Sequence, residues 1–351
     1  MADHRDTRSD HGLVVLGDGP GATECLRAAA GLGVAVVQVA LPGFRRAAGA
    51  IAVLAPRPRA LLPAWWAASP PGGERESGEG VQIIIGGGHT GVEAAVRWSA
   101  RAAHVVLVEA DARLLPGWDE GVAAQVTAGL AALGVEVLVD CRAVALAARD
   151  GGVAVRLRPR GGGVERVMHA GLAVPAMGLR PDLAGFDLAG TRALADRLGF
   201  LQVDSRLETA EPGLHALGAA VAVPLTPAVV ARQAQVVASC AAGLPIAPVR
   251  YHLLPRVIAG PCAALTAGLT AAAARERGFR VATGRSGDST AWVACVRDIE
   301  TGAALGVHAA GGQADVLADA ATALLEGAHA VLPVSLAAAF AAATKENPSD
   351  D

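Results

Sequence analysis

The sequence has few of the features that would assign it to several common classes of protein. Only 3% of its 351 residues are aromatic, 18% are charged, and Lys345 is its single lysine. It contains no clean apolar run of 18 or more residues, which predicts that no segment spans a membrane. Residues 1–12 are polar and lack the apolar segment of a secretory signal, so we expect a cytoplasmic protein.

Charge and cysteine spacing exclude further classes of partner and site. The formal net charge is −3, which argues against binding to nucleic acid or to a membrane surface. No C-x-x-C pair and no metal-ligand spacing occurs, so we predict buried thiols and no metal. The cysteines are Cys25, Cys141, Cys240, Cys262 and Cys295.

What the sequence does contain is a repeated pattern. LVVLGDG at 13–19 and QIIIGGG at 82–88 are apolar, β-branched runs that end in glycines, as buried parallel strands do. A helical stretch and a second apolar strand follow each run, which predicts two dinucleotide-binding βαβ repeats. The turn positions are Gly17, Gly19 and Ala22 in the first repeat and Gly86, Gly88 and Gly91 in the second.

An acidic residue distinguishes the two repeats. Glu109 ends the second strand of the second repeat, 23 positions after Gly86. A carboxylate there accepts hydrogen bonds from the adenosine ribose and repels a 2′-phosphate, so the second repeat predicts NAD in preference to NADP. The same count from Gly17 reaches Ala40. The first repeat therefore either binds its ligand without a carboxylate for the ribose, or it is kept only as part of the sheet and binds no ligand.

Tandem repeats followed by a C-terminal α+β segment resemble the pyridine nucleotide–disulphide oxidoreductases. The resemblance implies an α/β fold with tandem Rossmann-like FAD- and NAD(P)-binding domains, the first truncated, and a C-terminal α+β dimerisation domain. It also implies a homodimer. The stretches that carry it are VVLGDGPGATECLRAAAGLGVAVV (14–37), IIIGGGHTGVEAA (83–95), VVLVEADARLLPGWDEGV (105–122), AMGLRPDL (176–183), 208–238, 254–278 and 300–312.

The resemblance also predicts domain boundaries. Residues 13–66 and 195–245 would form the reduced FAD-type domain, 67–80 a linker, 81–190 the NAD-binding domain and 250–345 the interface domain. Within them, 151–174 reads as a β-hairpin with a Gly-rich turn. The helix predicted over 314–328 would pack through a stripe of Val316, Ala320, Ala323 and Leu324.

The sequence departs from the family pattern at the positions that carry its redox chemistry. The C-x-x-x-x-C disulfide is missing, and Gly19 and Gly88 are only 69 residues apart, which implies that the segment bearing the disulfide is deleted. Leu332 and Ala337 stand where the family has its His and Glu base. Ala219, after Gly218, replaces an aspartate that holds the flavin. We therefore predict no disulfide reductase activity, and FAD binding is in doubt.

The candidate site residues fall into two cofactor sets and one acid–base pair. Gly86, Gly88, Gly91, Glu109 and Gly178 are predicted to bind NAD, and Gly17, Gly19, Ala22 and Gly218 are weaker candidates for the flavin-type repeat.

His89 and Glu93, four positions apart on one helix face, could line a cavity that the flavin leaves empty. Without its lysine, a buried Glu93 would have a raised pKa and could act as an acid or base. The interpretation we favour is plainer: Glu93 is solvated or bonded to backbone, and His89 is a surface turn residue.

Three functions remain open at this point. The first is an NAD(H)-binding oxidoreductase-like protein that is not a disulfide reductase. The second is a redox scaffold reused as a non-redox enzyme, such as a cyclase, isomerase or lyase on a small molecule. The third is a non-catalytic dimer that senses nucleotide or binds a partner. Whether the protein is an enzyme is therefore left open.

Overall fold

The computed structural model describes residues 13–16, 20–39, 51–55, 58–60, 80–102, 104–149, 151–183, 186, 188–312, 314–327 and 332–343. Gly17, Gly19, Lys345 and most of the predicted linker lie outside the described residues. No helix among the described residues is long and apolar enough to cross a membrane. The architecture is mixed α/β, with Rossmann-like parallel sheets and a C-terminal antiparallel sheet, as predicted.

Eighteen strands and seven α-helices are defined in the described parts of the chain. The elements up to the second glycine turn are β1 Leu13–Leu16, α1 Pro20–Gly31, β2 Val36–Val39, β3 Ile51–Leu54, β4 Pro58–Ala60 and β5 Val81–Ile85. The next are α2 His89–Ser99, β6 His104–Val108, α3 Glu120–Ala132, β7 Val135–Leu138, β8 Cys141–Arg149, β9 Gly152–Pro159, β10 Arg166–Ala170, β11 Leu172–Pro175 and β12 Leu179–Pro181. The last are β13 Leu214–Ala216, α4 Pro227–Ala241, β14 Arg256–Ile258, β15 Ala264–Gly268, α5 Ala271–Glu276, β16 Val281–Gly287, β17 Trp292–Asp298, β18 Ala304–Ala310, α6 Ala318–Leu325 and α7 Val334–Ala342.

The chain divides into two compact units, and the first of them is discontinuous in sequence. The first unit comprises Met1–Arg59 and Leu179–Tyr251, and the second comprises Ala60–Gly178 and His252–Asp351. The domain boundaries inferred from the sequence stay predictions.

The first unit contains a four-stranded parallel sheet in the order β13-β3-β1-β2. Strands β1 and β2 are short and rich in valine, and Val15 and Val53 are fully buried in the core that includes α1 and α4. Helix α1 packs its small face, which includes Cys25 and Ala29, into the same core as α4. Thr226 caps α4, since its hydroxyl accepts a hydrogen bond from the Val229 N–H at 3.3 Å.

The second unit is built on the parallel sheet β11-β5-β6-β7. Strand β5 is buried along almost its whole length because helices cover one face and another sheet covers the other. That covering sheet is antiparallel, β10-β9-β8, and packs Val155 and Leu157 against Ile83 and Val106. The hairpin predicted over 151–174 is confirmed by the pairing of β9 with β10.

A five-stranded antiparallel sheet, β14-β15-β18-β17-β16, forms the C-terminal part of the second unit. Ile258, Ala264 and Trp292 of this sheet share one hydrophobic core with Val92 of α2 and Val126 of α3. The same core therefore joins the strands of the antiparallel sheet to the two helices of the dinucleotide-binding repeat.

The packing stripe predicted for the helix at 314–328 is wrong at one position. The segment starts as a 3₁₀ turn over Ala314–Leu317 before α6 begins, and the tighter turn shifts the phase of the side chains. Val316 is consequently 66% exposed, whereas Leu317, Ala321 and Leu324 face the core.

Candidate nucleotide site

The glycine turn between β5 and α2 has three sterically different positions. Gly86 has φ +112°, and a Cβ there would collide with the backbone carbonyl of Ala176. A Cβ on Gly91 would collide with the carbonyl oxygen of Gly86, so the helix can approach the strand only with glycine. A Cβ on Gly88 would have no atom within 4 Å. Gly88 therefore borders open space that a ligand can approach.

Helix α2 starts directly at this opening. Gly88 is its N-cap residue, and no side chain caps the first turn. The first turn of a helix presents N–H groups without helical partners and the positive end of the helix dipole, both of which favour a phosphate. The local arrangement matches the pyrophosphate-binding turn that the sequence predicts.

Glu109 is held in place at the end of β6 by two backbone donors. Its Oε2 accepts a hydrogen bond from the Gly87 N–H at 2.6 Å, and its Oε1 accepts one from the Asp111 N–H at 2.8 Å. The residue is only 8% exposed. Two bonds to an ionised carboxylate orient it, and each oxygen keeps a further lone pair for a ribose hydroxyl.

A cavity of about 520 Å³ joins these features. The lining residues that matter for nucleotide binding are Gly86, Gly88, His89, Glu109, Arg142 and Gly178. Of the five predicted NAD residues only Gly91 is not in the lining; it lies under Gly86 and shapes the turn. The structure thus places all five in one site.

Sequence reasoning did not identify Arg142, which adds a cation to the cavity. Arg142 belongs to β8, and its neighbour Cys141 donates its backbone N–H to the Glu109 carbonyl at 2.9 Å. The carboxyl ends of parallel strands meet at one edge of a sheet, where ligands bind. The position of Arg142 just beyond β7 was therefore a usable signal.

The structure corrects the interpretation that we favoured for His89. It is the first residue of α2, its side chain is 24% exposed, and Nε2 lies 2.8 Å from the Val257 carbonyl oxygen. A carbonyl can only accept, so Nε2 carries the hydrogen and Nδ1 carries the lone pair in the neutral ring. His89 is therefore an anchored cavity residue and not a surface turn residue.

Glu93 is half-exposed, in agreement with the interpretation that we favoured for it, and the alternative of a raised pKa is wrong. Its Oε1 lies 3.4 Å from His89 Nε2, and its side chain is 44% exposed. The hydrogen bond with His89 lowers the pKa of Glu93, and partial burial opposes that shift without overcoming it. The carboxyl group is therefore ionised at neutral pH and is suited to orienting His89, not to donating a proton.

The weaker candidates in the first unit are only partly covered by the structure. Gly17 and Gly19 lie outside the described residues, and Ala22 is fully buried in α1. The Gly218 N–H donates to Gln233 Oε1 at 2.7 Å, and Gln233 Nε2 donates to the Tyr251 hydroxyl at 2.9 Å. Gln233 is fully buried. The Gly218 N–H is therefore hydrogen-bonded inside the protein and is not available to a ligand.

All five cysteines lie in the described parts of the chain, and all are free thiols. Burial raises the pKa of Cys25 and of Cys295 to about 12, which keeps both protonated. Burial also raises the pKa of Cys141 and of Cys262. Among the described residues, no group of three His, Cys, Asp or Glu side chains could hold a metal ion.

Comparison with known proteins now identifies the family. The model of the pyridine nucleotide–disulphide oxidoreductases matches residues 73–237. Dihydrolipoyl dehydrogenase of Thermus scotoductus is 31% identical over 258 residues, which are 70% of this chain and 56% of that protein. The chain belongs to the pyridine nucleotide–disulphide oxidoreductase family. The dihydrolipoyl dehydrogenase of Bacillus subtilis is 25% identical over 70% of this chain and 54% of its own. This family member thus spans about half the length of the curated relatives it matches.

Solved structures of the family share the fold. LpdA from Mycobacterium tuberculosis has a TM-score of 0.75 at 16% identity, over 94% of this chain and 98% of its own. The flavoprotein disulfide reductase RclA from Escherichia coli has a TM-score of 0.73 at 14% identity, over 94% of this chain and 99% of its own. Family members bind FAD and NAD(P), and the comparisons favour FAD more than NAD. The doubt about FAD that the sequence raised is therefore not supported by them.

Proposed function

We propose that this protein is an NAD(H)-binding oxidoreductase-like member of its family that does not reduce disulfides. The observation that carries the proposal is the geometry of Glu109. Its carboxylate is buried, oriented by the N–H groups of Gly87 and Asp111, and placed in the same cavity as Gly88 and Gly178. That arrangement suits the two ribose hydroxyls of NAD, and its negative charge opposes the 2′-phosphate of NADP.

Different residues around the cavity would bind different parts of the nucleotide. The first turn of α2 and Arg142 supply N–H groups and positive charge for the pyrophosphate, while Glu109 accepts hydrogen bonds from the ribose. Bound NAD would supply a hydride acceptor, and NADH a hydride donor.

His89 is the side chain in the cavity best placed to hold a proton. Its Nε2–H is held by the Val257 carbonyl and faces the Glu93 carboxylate, so the free lone pair is on Nδ1. We propose Nδ1 as the proton acceptor of this site, with Glu93 orienting the ring.

Reduction of disulfides by the protein's own thiols is disfavoured by two observations. No two cysteines are close in sequence, and burial raises the pKa of four of the five. The thiolate is the reactive form, so these four are poor nucleophiles.

FAD requires a separate measurement. The relatives argue for it, whereas the satisfied amide of Gly218 argues against a flavin contact at that position. The visible absorbance spectrum and native mass spectrometry of the purified protein measure bound flavin directly. Either result leaves the cavity around Glu109 as described.

The decisive experiment is a calorimetric titration with NAD⁺, NADH and NADPH. We expect NADH to bind more tightly than NADPH, and Glu109→Ala to weaken NADH about tenfold, because a charge-assisted hydrogen bond is lost. Glu136→Ala is the matched control, since Glu136 lies on the neighbouring strand and pairs with His104 at 3.1 Å. Equal affinities for NADH in wild type and Glu109→Ala, or no binding at all, would disprove the proposal.

If no nucleotide binds in the titration, the other two functions that the sequence left open become the alternatives. A protein that binds no nucleotide would be a reused scaffold, either a non-redox enzyme on a small molecule or a non-catalytic partner-binding dimer. We also propose a cytoplasmic homodimer through residues 250–345, on the strength of the family resemblance. Light scattering coupled to gel filtration measures the oligomeric state.

A further inference from the structure

Strand β14 of the antiparallel sheet contacts the nucleotide repeat at two points. The Val257 carbonyl accepts the hydrogen of His89 Nε2 at 2.8 Å. The next contact comes from Arg256, whose Nη2 donates to the Gly117 carbonyl at 3.1 Å. Gly117 belongs to the loop that follows Glu109. Both contacts bridge residues more than 130 positions apart, so they exist only in the folded unit.

Trp118 lies between these two contacts. It is 2% exposed, and the Arg256 guanidinium carbon lies 5.2 Å from the centroid of its ring. The ring of His89 also contacts Trp118, with centroids 5.9 Å apart and planes tilted by 57°. A guanidinium over an indole face is an attractive arrangement, and it strengthens when the pair is shielded from water.

The loop from Glu109 to Trp118 continues the connection to the glycine turn. The Leu115 N–H donates to the Gly87 carbonyl at 2.9 Å, and Leu115 adopts φ +54°, a conformation that an unsupported leucine rarely takes. Arg113 supports it by donating to the carbonyls of Leu115 at 3.2 Å and Trp118 at 3.1 Å.

These contacts form a continuous series from strand β14 to the Glu109 carboxylate, the group predicted to bind the ribose. Arg256 holds Gly117 and Trp118, the loop holds Gly87 through Leu115, and the Gly87 N–H holds Glu109. Arg256 is not among the residues that line the cavity. A residue that stabilises the loop without touching the ligand can change affinity only by changing where the loop holds Gly87 and Glu109.

We infer that Arg256 is a positioning residue for the nucleotide site, through which strand β14 supports the loop after Glu109. The inference rests on the proposed NAD(H) function and deepens it. It assigns the orientation of Glu109 to a strand outside the dinucleotide-binding repeat.

The first test needs no ligand. Hydrogen exchange is measured at the amides of Leu115 and Gly87 in wild type, Arg256→Met and Arg256→Lys. Methionine keeps the apolar stem of the side chain but loses its charge and donors, and lysine keeps charge but lacks the planar guanidinium. We expect exchange at both amides to be fastest in Arg256→Met and intermediate in Arg256→Lys. The inference is overturned if both variants exchange at the wild-type rate.

Arg285→Met is the matched control. Arg285 stacks on Trp292 at 4.1 Å in the same antiparallel sheet, and neither residue lines the cavity. This variant removes an arginine–tryptophan contact of the same kind, so exchange at Leu115 and Gly87 is expected to stay unchanged. Faster exchange in the control as well would mean that any loss of sheet stability has the same effect, and would refute a specific role for Arg256.

The second test is a double-mutant cycle on NADH affinity. We expect Arg256→Met to weaken NADH roughly three- to tenfold, the equivalent of one hydrogen bond, in the wild-type background. In the Glu109→Ala background the same change should have little effect, because the group that it positions is gone. An equal loss in both backgrounds contradicts the inference. No binding by the wild type contradicts the proposed function instead, and the exchange experiment still decides the role of Arg256.

Discussion

At the scale of single residues, the glycines of the nucleotide turn separate packing from binding. Gly91 sits where a Cβ would strike the Gly86 carbonyl, and Gly88 sits where a Cβ would meet nothing within 4 Å. The same substitution at the two positions therefore tests two different properties. The motif assigns the second glycine to ligand approach and the third to packing, and the coordinates give the steric reason for each.

We predict that Gly91→Ala destabilises the fold by about 1–3 kcal/mol, as overpacking of a tight contact does. Gly88→Ala should leave the free energy of unfolding within about 1 kcal/mol of wild type and should weaken NADH binding, because the methyl group fills space that the ligand needs. Urea denaturation and calorimetry measure the two effects. Loss of stability in Gly88→Ala equal to that in Gly91→Ala would contradict this steric account.

His89 provides a second prediction at the residue scale. His89→Gln places an amide nitrogen near the position of Nε2, so it can keep the hydrogen bond to Val257, but it has no titratable nitrogen. We expect this variant to bind NADH within about twofold of wild type. Calorimetric titration of both proteins measures the two affinities. A loss of NADH affinity well beyond twofold would show that the imidazole contributes more to the site than its hydrogen bond to Val257.

At the scale of elements, helix α3 directly follows the loop after Glu109 and packs into the core of the second unit. Asp119 is its N-cap residue, and its carboxylate accepts hydrogen bonds from the N–H groups of Gly121 at 2.9 Å and Val122 at 3.3 Å. Gly121 also packs against the ring of Trp292. The start of α3 is therefore fixed both by a cap and by a contact with the antiparallel sheet.

We predict that Asp119→Ala lowers the free energy of unfolding by about 1 kcal/mol, the usual cost of a lost N-cap. Glu120→Ala is the control, because Glu120 is exposed in the same turn and only its interaction with the helix dipole, a few tenths of a kcal/mol, is lost. Chemical denaturation of both variants measures the difference. Equal effects would show that charge near the helix end, and not the cap geometry, stabilises α3.

At the scale of the whole molecule, the thiols are dispersed and mostly buried. Cys25 and Cys240 lie in helices of the first unit, whereas Cys141 and Cys295 lie in strands of the second. Cys240 is the only one of the five that is not buried. Cys240 is therefore the most exposed thiol of the native protein, and Cys141 borders the cavity around Glu109.

We predict that a thiol-reactive probe labels Cys240 first in the native protein, as located by mass spectrometry of peptides. Cys25, Cys262 and Cys295 should react only as the fold opens, since burial covers their thiols and raises their pKa. Turnover of a lipoamide- or glutathione-type disulfide should be absent. Measurable turnover, or an intramolecular disulfide in the purified protein, would contradict both the thiol assignment and the proposed function.

Local patterns in the sequence were sufficient for the nucleotide repeat itself. A β-strand, a glycine turn, a helix and a second strand are consecutive, so the count from Gly86 to Glu109 places the carboxylate without long-range information. The hairpin of β9 and β10 was predictable for the same reason. Val316 was placed wrongly because helical periodicity assumes that a helix begins as an α-helix, and this one begins as a 3₁₀ turn.

Only the tertiary structure decided how the site is supported. His89 meets Val257 across 168 positions, and Arg256 meets Gly117 across 139. Nothing in the local sequence sets these partners, because each depends on how separate elements pack. The sequence by itself determined where the glycine turn and the Glu109 carboxylate lie along the chain. Packing determined which strand supports the turn and the loop after Glu109, because the contacts of Val257 and Arg256 form only when the antiparallel sheet lies against the repeat.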